Sequence, residues 1–304
     1  MSAGRHPIRA RLAALFALLG CLAAVVALTS GWVRNETLSD QSWSATTTKL
    51  YRSQTIQRAV AEHLAGRLTD STVVREALSK AELYGGLDLN PARLRESLAG
   101  AVLRVLHTKT AERTWIATSS SAHSQLVYII TSDQPAAAGV SLDLGEVLDQ
   151  ALAASNLPIV VPTGLGEVQV LDASQLRALR DDARTIRELA RVSLLLTVLL
   201  LVGGLLLAVE RLRALARTGL GLVLAGVLII ALRPPALSLI SSSLTSNPTN
   251  RAAVHATLEI LSEPLLHAAE LLAATAAALT LFAWLLRLAL QGLSRSRKPA
   301  LTLR

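Results

Sequence analysis

Four uncharged apolar stretches divide this chain and restrict it to folds that cross a lipid bilayer. The longest, residues 12–33, would rise about 33 Å as a helix, which matches a hydrocarbon core of roughly 30 Å. The others are residues 192–209, 218–232 and 271–286. The last two cross fully only if arginines at their ends, such as Arg233 and Arg287, extend into the headgroups. The sequence therefore predicts four transmembrane helices.

Charge alternates between the segments that join these stretches. Basic residues outnumber acidic ones by 3 to 0 in residues 1–11, by 3 to 1 in 210–217 and by 5 to 0 in 287–304. The intervening segments are slightly acidic, with 17 basic against 18 acidic residues in 34–191 and 2 against 3 in 233–270. Cytoplasmic loops are enriched in Lys and Arg. The pattern predicts a multi-pass protein of the cell membrane with both termini in the cytoplasm.

This topology divides the chain into membrane helices and the segments that connect them. The parts are a cytoplasmic basic N-terminus (1–11), transmembrane helix 1 (12–33), an extracytoplasmic helical domain (34–191), transmembrane helix 2 (192–209), a cytoplasmic loop (210–217), transmembrane helix 3 (218–236), an extracytoplasmic loop (237–268), transmembrane helix 4 (269–290) and a cytoplasmic basic tail (291–304). A single cysteine, Cys21, excludes an internal disulfide. The large domain must therefore be held together by burial, for which it is long enough.

Helical periodicity runs through the large domain. Ser39 and Asp40 can cap a helix that carries Trp43. Residues 51–68 then carry an apolar face, and Asn90-Pro91 marks the start of a further helix with another. The apolar positions recur every four residues, at Ile56, Val60, Leu64 and Leu68 and again at Leu94, Leu98, Val102 and Leu106. We interpret both faces as core, and we expect one more helix over residues 111–130.

Two short stretches in the same domain alternate like β-strands. Residues 140–142 and 168–170 are expected to pair with each other and to bracket a helix opened by Asp143 and Glu146. Residues 156–166, which contain two prolines and two glycines, would be the connecting loop. The predicted fold class is therefore mainly α, an integral membrane protein with a helical extracytoplasmic domain and a small two-stranded β element.

A long segment without proline or glycine leads into the second apolar stretch. It runs from Ala173 to Val202, with apolar residues at spacings of three and four in its first half. The pattern predicts one continuous helix from the domain into the membrane. We interpret it as a rigid stalk. The alternative is a lever that carries a ligand-induced shift across the bilayer.

Several segments in this order resemble a known group of proteins. They are T37-L-S-D-Q-S-W43, A59-V-A-E-H-L-A-G-R-L-T-D70, V140-S-L-D-L-G-E-V-L-D149 and G166-E-V-Q-V-L-D-A-S-Q-L-R177, which follow a basic N-terminus and an anchor and precede three clustered apolar stretches. The chain is similar to a group of uncharacterised actinobacterial integral membrane proteins. The resemblance implies a helical domain inserted between spans one and two, and it brings no established activity, ligand or catalytic residue.

Residues able to do chemistry are sparse. Ser119, Ser120 and Ser121 stand beside His123, but neighbours on one helix do not create nucleophile–base geometry, so we interpret them as a polar helix face. His63, His107 and His123 lack metal-ligand spacing. The sequence therefore predicts no enzyme, no catalytic residue, no cofactor and no metal.

Few polar residues fall within the apolar stretches, and this argues against transport by the chain alone. Gly203, Gly204, Gly221 and an alanine-rich face near Ala273 predict close helix packing, within the chain or between copies. Arg233 and Glu270 are the candidate structural ion pair, at the outer ends of spans three and four.

The expected partners are the lipid bilayer and an envelope protein or a second copy of the chain, with no nucleic acid. The predicted function is a non-enzymatic bacterial membrane protein whose extracytoplasmic domain binds an envelope partner. The alternative is a sensor or accessory subunit of a membrane transport system.

Overall fold

The structure is a computed structural model that divides into two compact units. It describes residues 5–72, 75–76, 90–131, 140–154, 166–171, 173–208 and 210–296. The first unit, called the apolar unit below, comprises Met1–Arg34, Thr185–Ala236 and Ser262–Arg304. The second, called the core unit, comprises Asn35–Arg184 and Leu237–Leu261.

Helices dominate both units. They are α1 (Arg5–Leu38), α2 (Asp40–Arg52), α3 (Gln54–Asp70), α4 (Pro91–Leu106), α5 (Lys109–Thr131), α6 (Gly145–Ala154), α7 (Ala173–Leu207), α8 (Arg211–Leu244) and α9 (Pro248–Ser296), with strands β1 (Val140–Asp143) and β2 (Glu167–Leu171). Four helices, α1, α7, α8 and α9, are long and apolar enough to cross a membrane. The four apolar stretches of the sequence thus fold as helices of spanning length, as predicted.

Capping residues begin two helices of the core unit where the sequence predicts them. The Ser39 hydroxyl accepts a hydrogen bond from the Ser42 amide at 3.3 Å, at the start of α2. The Asn90 side chain accepts from the Ala92 amide at 2.9 Å, and Pro91 takes the first position of α4. Both caps satisfy amide groups that a helix N-terminus leaves without partners.

The core of the second unit is built by α3, α4 and α6, and it contains the apolar faces read from the sequence. Its most deeply buried large side chains are Leu64, Leu68, Val102, Leu106, Leu144, Val147 and Leu148. Val60 and Leu94 pack against this cluster and are partly buried. Both faces are therefore core faces, as predicted. The helix expected from residue 51, however, begins at Gln54, because the extended backbone of Ser53 ends α2 after Arg52.

A pair of antiparallel strands flanks α6. In its register Ser141 lies opposite Gln169 and Asp143 lies opposite Glu167. The Asp143 carboxylate accepts from the Gly145 amide at 2.8 Å and so supports the start of α6. At Gly166 a Cβ atom would overlap the backbone of Gly145, so only glycine allows this approach. Residues 156–165 of the predicted loop lie outside the described residues.

The segment that the sequence analysis treats as an extracytoplasmic loop, residues 237–268, is almost entirely helical. Helix α8 continues through Pro234 and Pro235 to Leu244, and α9 begins at Pro248. The two prolines lack amide hydrogens, so they remove hydrogen bonds without ending the helix. Residues 237–244 therefore continue α8 and residues 248–268 belong to α9, while the boundary of span three at residue 236 stays a prediction. Helix α7, by contrast, is unbroken, as predicted.

Glycines bring the helices of the apolar unit close together within the chain. A Cβ at Gly221 would lie 2.7 Å from Cys21 Sγ, so α1 and α8 meet there. A Cβ at Gly226 would lie 2.8 Å from the Ala269 carbonyl oxygen and 2.9 Å from Ala273 Cβ, which brings α8 against α9. Gly204 of α7 similarly faces Phe16 of α1. The small residues singled out in the sequence thus serve contacts between helices of one chain.

Candidate functional site

Ser119 and His123 of α5 face the interior of the core unit, whereas Ser121 between them is exposed. His123 is 3% exposed and Ser119 is 8% exposed, so the prediction of a polar helix face is wrong for these two residues. The imidazole stacks on the Trp43 indole of α2, with ring centroids 4.7 Å apart. The Trp43 indole N–H donates to the Ser119 carbonyl at 3.2 Å. This segment therefore joins α5 to α2.

His123 has one polar partner among the described residues. Its Nδ1 lies 3.1 Å from Asp40 Oδ1, while the buried Nε2 has no hydrogen-bond partner there. A nucleophile–base pair needs the base nitrogen to reach a hydroxyl. The ring atom that could do so is buried without one, so this geometry favours a structural role.

A second buried polar group, Glu36, lies near the end of α1. It is 4% exposed, and two hydroxyls from α2 donate to it, Ser42 Oγ at 2.7 Å and Thr46 Oγ1 at 3.2 Å. Hydrogen bonds of this kind offset the cost of burying a carboxylate. This cluster is not evident from the sequence, because its members belong to different helices with the turn at Ser39 between them.

The core unit has a polar depression where α2 meets α3 and α4 meets α5. It has a volume of about 320 Å³. Its lining residues are Tyr51, Arg52, Gln54, Gln57, Leu106, His107, Thr108, Lys109 and Glu112. The rim carries two fixed positive charges, Arg52 and Lys109, against the one carboxylate of Glu112. We call this feature the Tyr51 depression.

The floor of the Tyr51 depression is held by hydrogen bonds to backbone carbonyls. The Tyr51 hydroxyl donates to the Leu106 carbonyl, and the Thr108 carbonyl oxygen lies 3.3 Å away. The Gln57 amide donates to the Tyr51 carbonyl at 2.8 Å. Burial raises the pKa of the Tyr51 hydroxyl, and the Glu112 carboxylate raises it further. Tyr51 therefore remains a neutral donor that fixes the junction of the four helices.

The side chains at the rim of the Tyr51 depression are held less firmly than those of its floor. Arg52 Nη2 lies 3.8 Å from Glu112 Oε1, and the Arg52 side chain is 73% exposed. Exposed pairs at this distance contribute little to stability. The Arg52 guanidinium can therefore exchange Glu112 for another carboxylate at small cost. Sequence reasoning missed this site, because its only local signals are two short helix junctions at Ser53 and Thr108.

The candidate ion pair belongs to the apolar unit. Arg233 of α8 is partly buried, and its Nε donates to Ser262 Oγ of α9 at 2.9 Å. Glu270 is exposed on α9, eight residues beyond Ser262. An ion pair between Arg233 and Glu270 stays a prediction, and the described contact of Arg233 Nε is with the serine.

The three histidines considered as metal ligands are dispersed in sequence and in structure. His63 lies on α3, His107 caps the end of α4 and His123 is buried on α5. Partial burial lowers the pKa of His63, and the guanidinium groups of Arg67 and Arg95 lower it further. Within the described ranges, no three His, Cys, Asp or Glu side chains are grouped so as to hold a metal ion.

Comparison with known proteins adds no relative from which a site could be transferred. No family model, no curated protein and no solved structure matches the chain.

Proposed function

We propose that this chain is a non-enzymatic bacterial membrane protein whose core unit faces the extracytoplasmic space and binds an envelope partner through the Tyr51 depression. The observation that carries the proposal is the contrast between its floor and its rim. The Tyr51 and Gln57 side chains are engaged by backbone carbonyls, whereas Arg52 is largely exposed. A rigid floor with adaptable charges at the edge is suited to recognition.

The charge of the rim indicates the chemistry of the partner. Arg52 and Lys109 exceed the single carboxylate of Glu112 by one positive charge, and His107 adds a further donor. A carboxylate from the partner could bind Arg52 with two parallel hydrogen bonds. The partner that we propose is therefore an envelope protein that presents an acidic segment.

A photo-crosslinking amino acid at Gln54, an exposed position in the depression, tests this proposal in intact cells. The expected result is a crosslink to a defined envelope protein, identified by mass spectrometry. The same amino acid at Ser124, exposed on α5 outside the depression, should give no such product. Arg52→Glu combined with Lys109→Glu should abolish the crosslink, because it reverses the charge of the rim.

Arg58→Glu is the matched control, since Arg58 is exposed on α3 and does not line the depression. This variant should retain the crosslink. Equal products from Gln54 and Ser124, or loss of the crosslink in all charge variants, would contradict binding at the depression.

A second candidate function is a sensor or accessory subunit of a transport system. It is favoured by α7, which is one helix of 35 residues, about 52 Å long. A helix of this length could transmit a displacement without bending. If the chain has this second function, a proline within α7 should abolish any response to a ligand while the core unit stays folded.

A further inference from the structure

A small polar cavity lies in the apolar unit where α8 begins. Its volume is about 150 Å³, and it is bounded by α1, the end of α7 and the first turns of α8. Its polar lining groups are Glu210, Arg213, Arg217 and Thr218, and its other walls are alanine and glycine. A cavity of this size can hold a benzene-sized group. A phosphate group is no larger.

The charges of this cavity leave one guanidinium uncompensated. Arg213 Nε lies 2.9 Å from Glu210 Oε2 and its Nη1 lies 3.1 Å from Glu210 Oε1, so these two side chains neutralise each other. For Arg217 the described part of the chain provides no hydrogen-bond or ion-pair partner. The cavity therefore favours an anion.

An apolar groove continues from this cavity between α1 and α8. It has a volume of about 380 Å³, and Ala14, Ala17 and Arg217 line both spaces. Along α8 it reaches from Arg217 to Leu228, a rise of about 16 Å. Half of a hydrocarbon core of roughly 30 Å is about the same length. The groove thus has the length of a lipid chain in one leaflet.

We propose that the cavity and the groove together bind one anionic phospholipid, with its phosphate at Arg217 and Thr218 and an acyl chain along the groove. Basic pockets between transmembrane helices bind anionic headgroups in this way. Arginine is well suited to the phosphate because its planar fork can donate two hydrogen bonds. The apolar groove gives a free phosphate ion no additional contact, so the joined site favours the lipid.

Native mass spectrometry of the purified full chain in detergent tests the proposal, with phosphatidylglycerol and phosphatidylcholine as probes. The wild-type chain should retain phosphatidylglycerol and release phosphatidylcholine. Arg217→Gln should weaken phosphatidylglycerol binding roughly tenfold, the effect of losing one charge-assisted hydrogen bond. Arg211→Gln removes a charge from the same segment but from a residue that lines neither space, so it should bind as wild type.

Ala17→Phe provides a second variant, because a phenyl ring at Ala17 would block the junction of the two spaces. It should lose the lipid while keeping its helical circular dichroism. Inorganic phosphate should not displace the bound lipid. Equal weakening by Arg217→Gln and Arg211→Gln would show diffuse surface attraction and overturn the site, as would unchanged retention in Arg217→Gln or displacement by phosphate alone.

Discussion

At the scale of single residues, the buried imidazole of His123 carries an energetic cost for the core unit. Burying a polar atom without a partner costs roughly 1–3 kcal/mol, and Nε2 is such an atom among the described residues. The stack on Trp43 and the contact with Asp40 offset part of this cost. The imidazole therefore stabilises the core unit mainly by packing against Trp43.

Two substitutions of His123 separate the effect of ring packing from the effect of its polar contacts. His123→Phe keeps the stack and removes the unpaired nitrogen, so the melting temperature of the detergent-solubilised chain should be unchanged or higher. His123→Ala removes the ring, and it should destabilise the unit by about 2–4 kcal/mol, as aromatic truncations in cores do. Both effects can be measured by thermal unfolding followed by circular dichroism. Equal destabilisation by the two variants would show that the Asp40 contact dominates.

Contacts at this scale were the least predictable from the sequence. Periodicity identifies which face of a helix is buried, but not which partner meets it. Trp43 bonds to Ser119 across 76 residues, and the rim of the Tyr51 depression joins Arg52 to Glu112 across 60. Such pairs depend on the packing of α2 against α5, which no local pattern encodes. The burial of His123 and the depression itself were missed for this reason.

At the scale of elements, local signals predicted helices well and their ends less well. The caps at Ser39 and Asn90 accept hydrogen bonds from the first turn of their helices, so they can be predicted directly from the sequence. Pro234 and Pro235 lie inside α8, which continues to Leu244. Proline weakens a helix locally, whereas continuation depends on the contacts of the whole helix. A pair of prolines alone therefore does not mark the end of a helix.

The continuity of α7 leads to a prediction at this scale. Glu188→Pro places a proline at an exposed position within α7. It should cost on the order of 3 kcal/mol or more, because it removes a hydrogen bond and clashes with the preceding turn. Thermal unfolding in detergent measures the loss. Glu188→Ala is the control and should change stability by no more than about 0.5 kcal/mol. Proline and alanine variants of equal stability would contradict a continuous helix.

At the scale of the whole molecule, four helices long and apolar enough to cross a bilayer indicate a membrane-associated protein, and the charge alternation predicts which segments face the cytoplasm. Helices of spanning length can be predicted from hydropathy alone, because every helix that crosses the bilayer must match the thickness of its hydrocarbon core. Sidedness depends on charge in the connecting segments. The predicted orientation of the core unit therefore rests on the charge of the connecting segments and can be measured in intact cells.

Cysteine labelling in intact cells provides that measurement, in a Cys21→Ala background. The Ser124→Cys variant, at an exposed position of α5, should react with a membrane-impermeant maleimide. The Arg211→Cys variant, in the segment predicted to be cytoplasmic, should react only after the cells are permeabilised. Labelling of the Arg211→Cys variant in intact cells would contradict the proposed orientation.

Cys21 itself has a consequence for experiments on the native chain. Its thiol is 8% exposed, and its sulfur lies 3.9 Å from the Thr218 carbonyl oxygen at the contact of α1 with α8. Cys21 also lines the groove between α1 and α8, so a small membrane-permeant thiol reagent can approach it along that groove. The rate of alkylation therefore reports how accessible the groove is. The unmodified protein thus carries its own probe of the space between its first and third apolar helices.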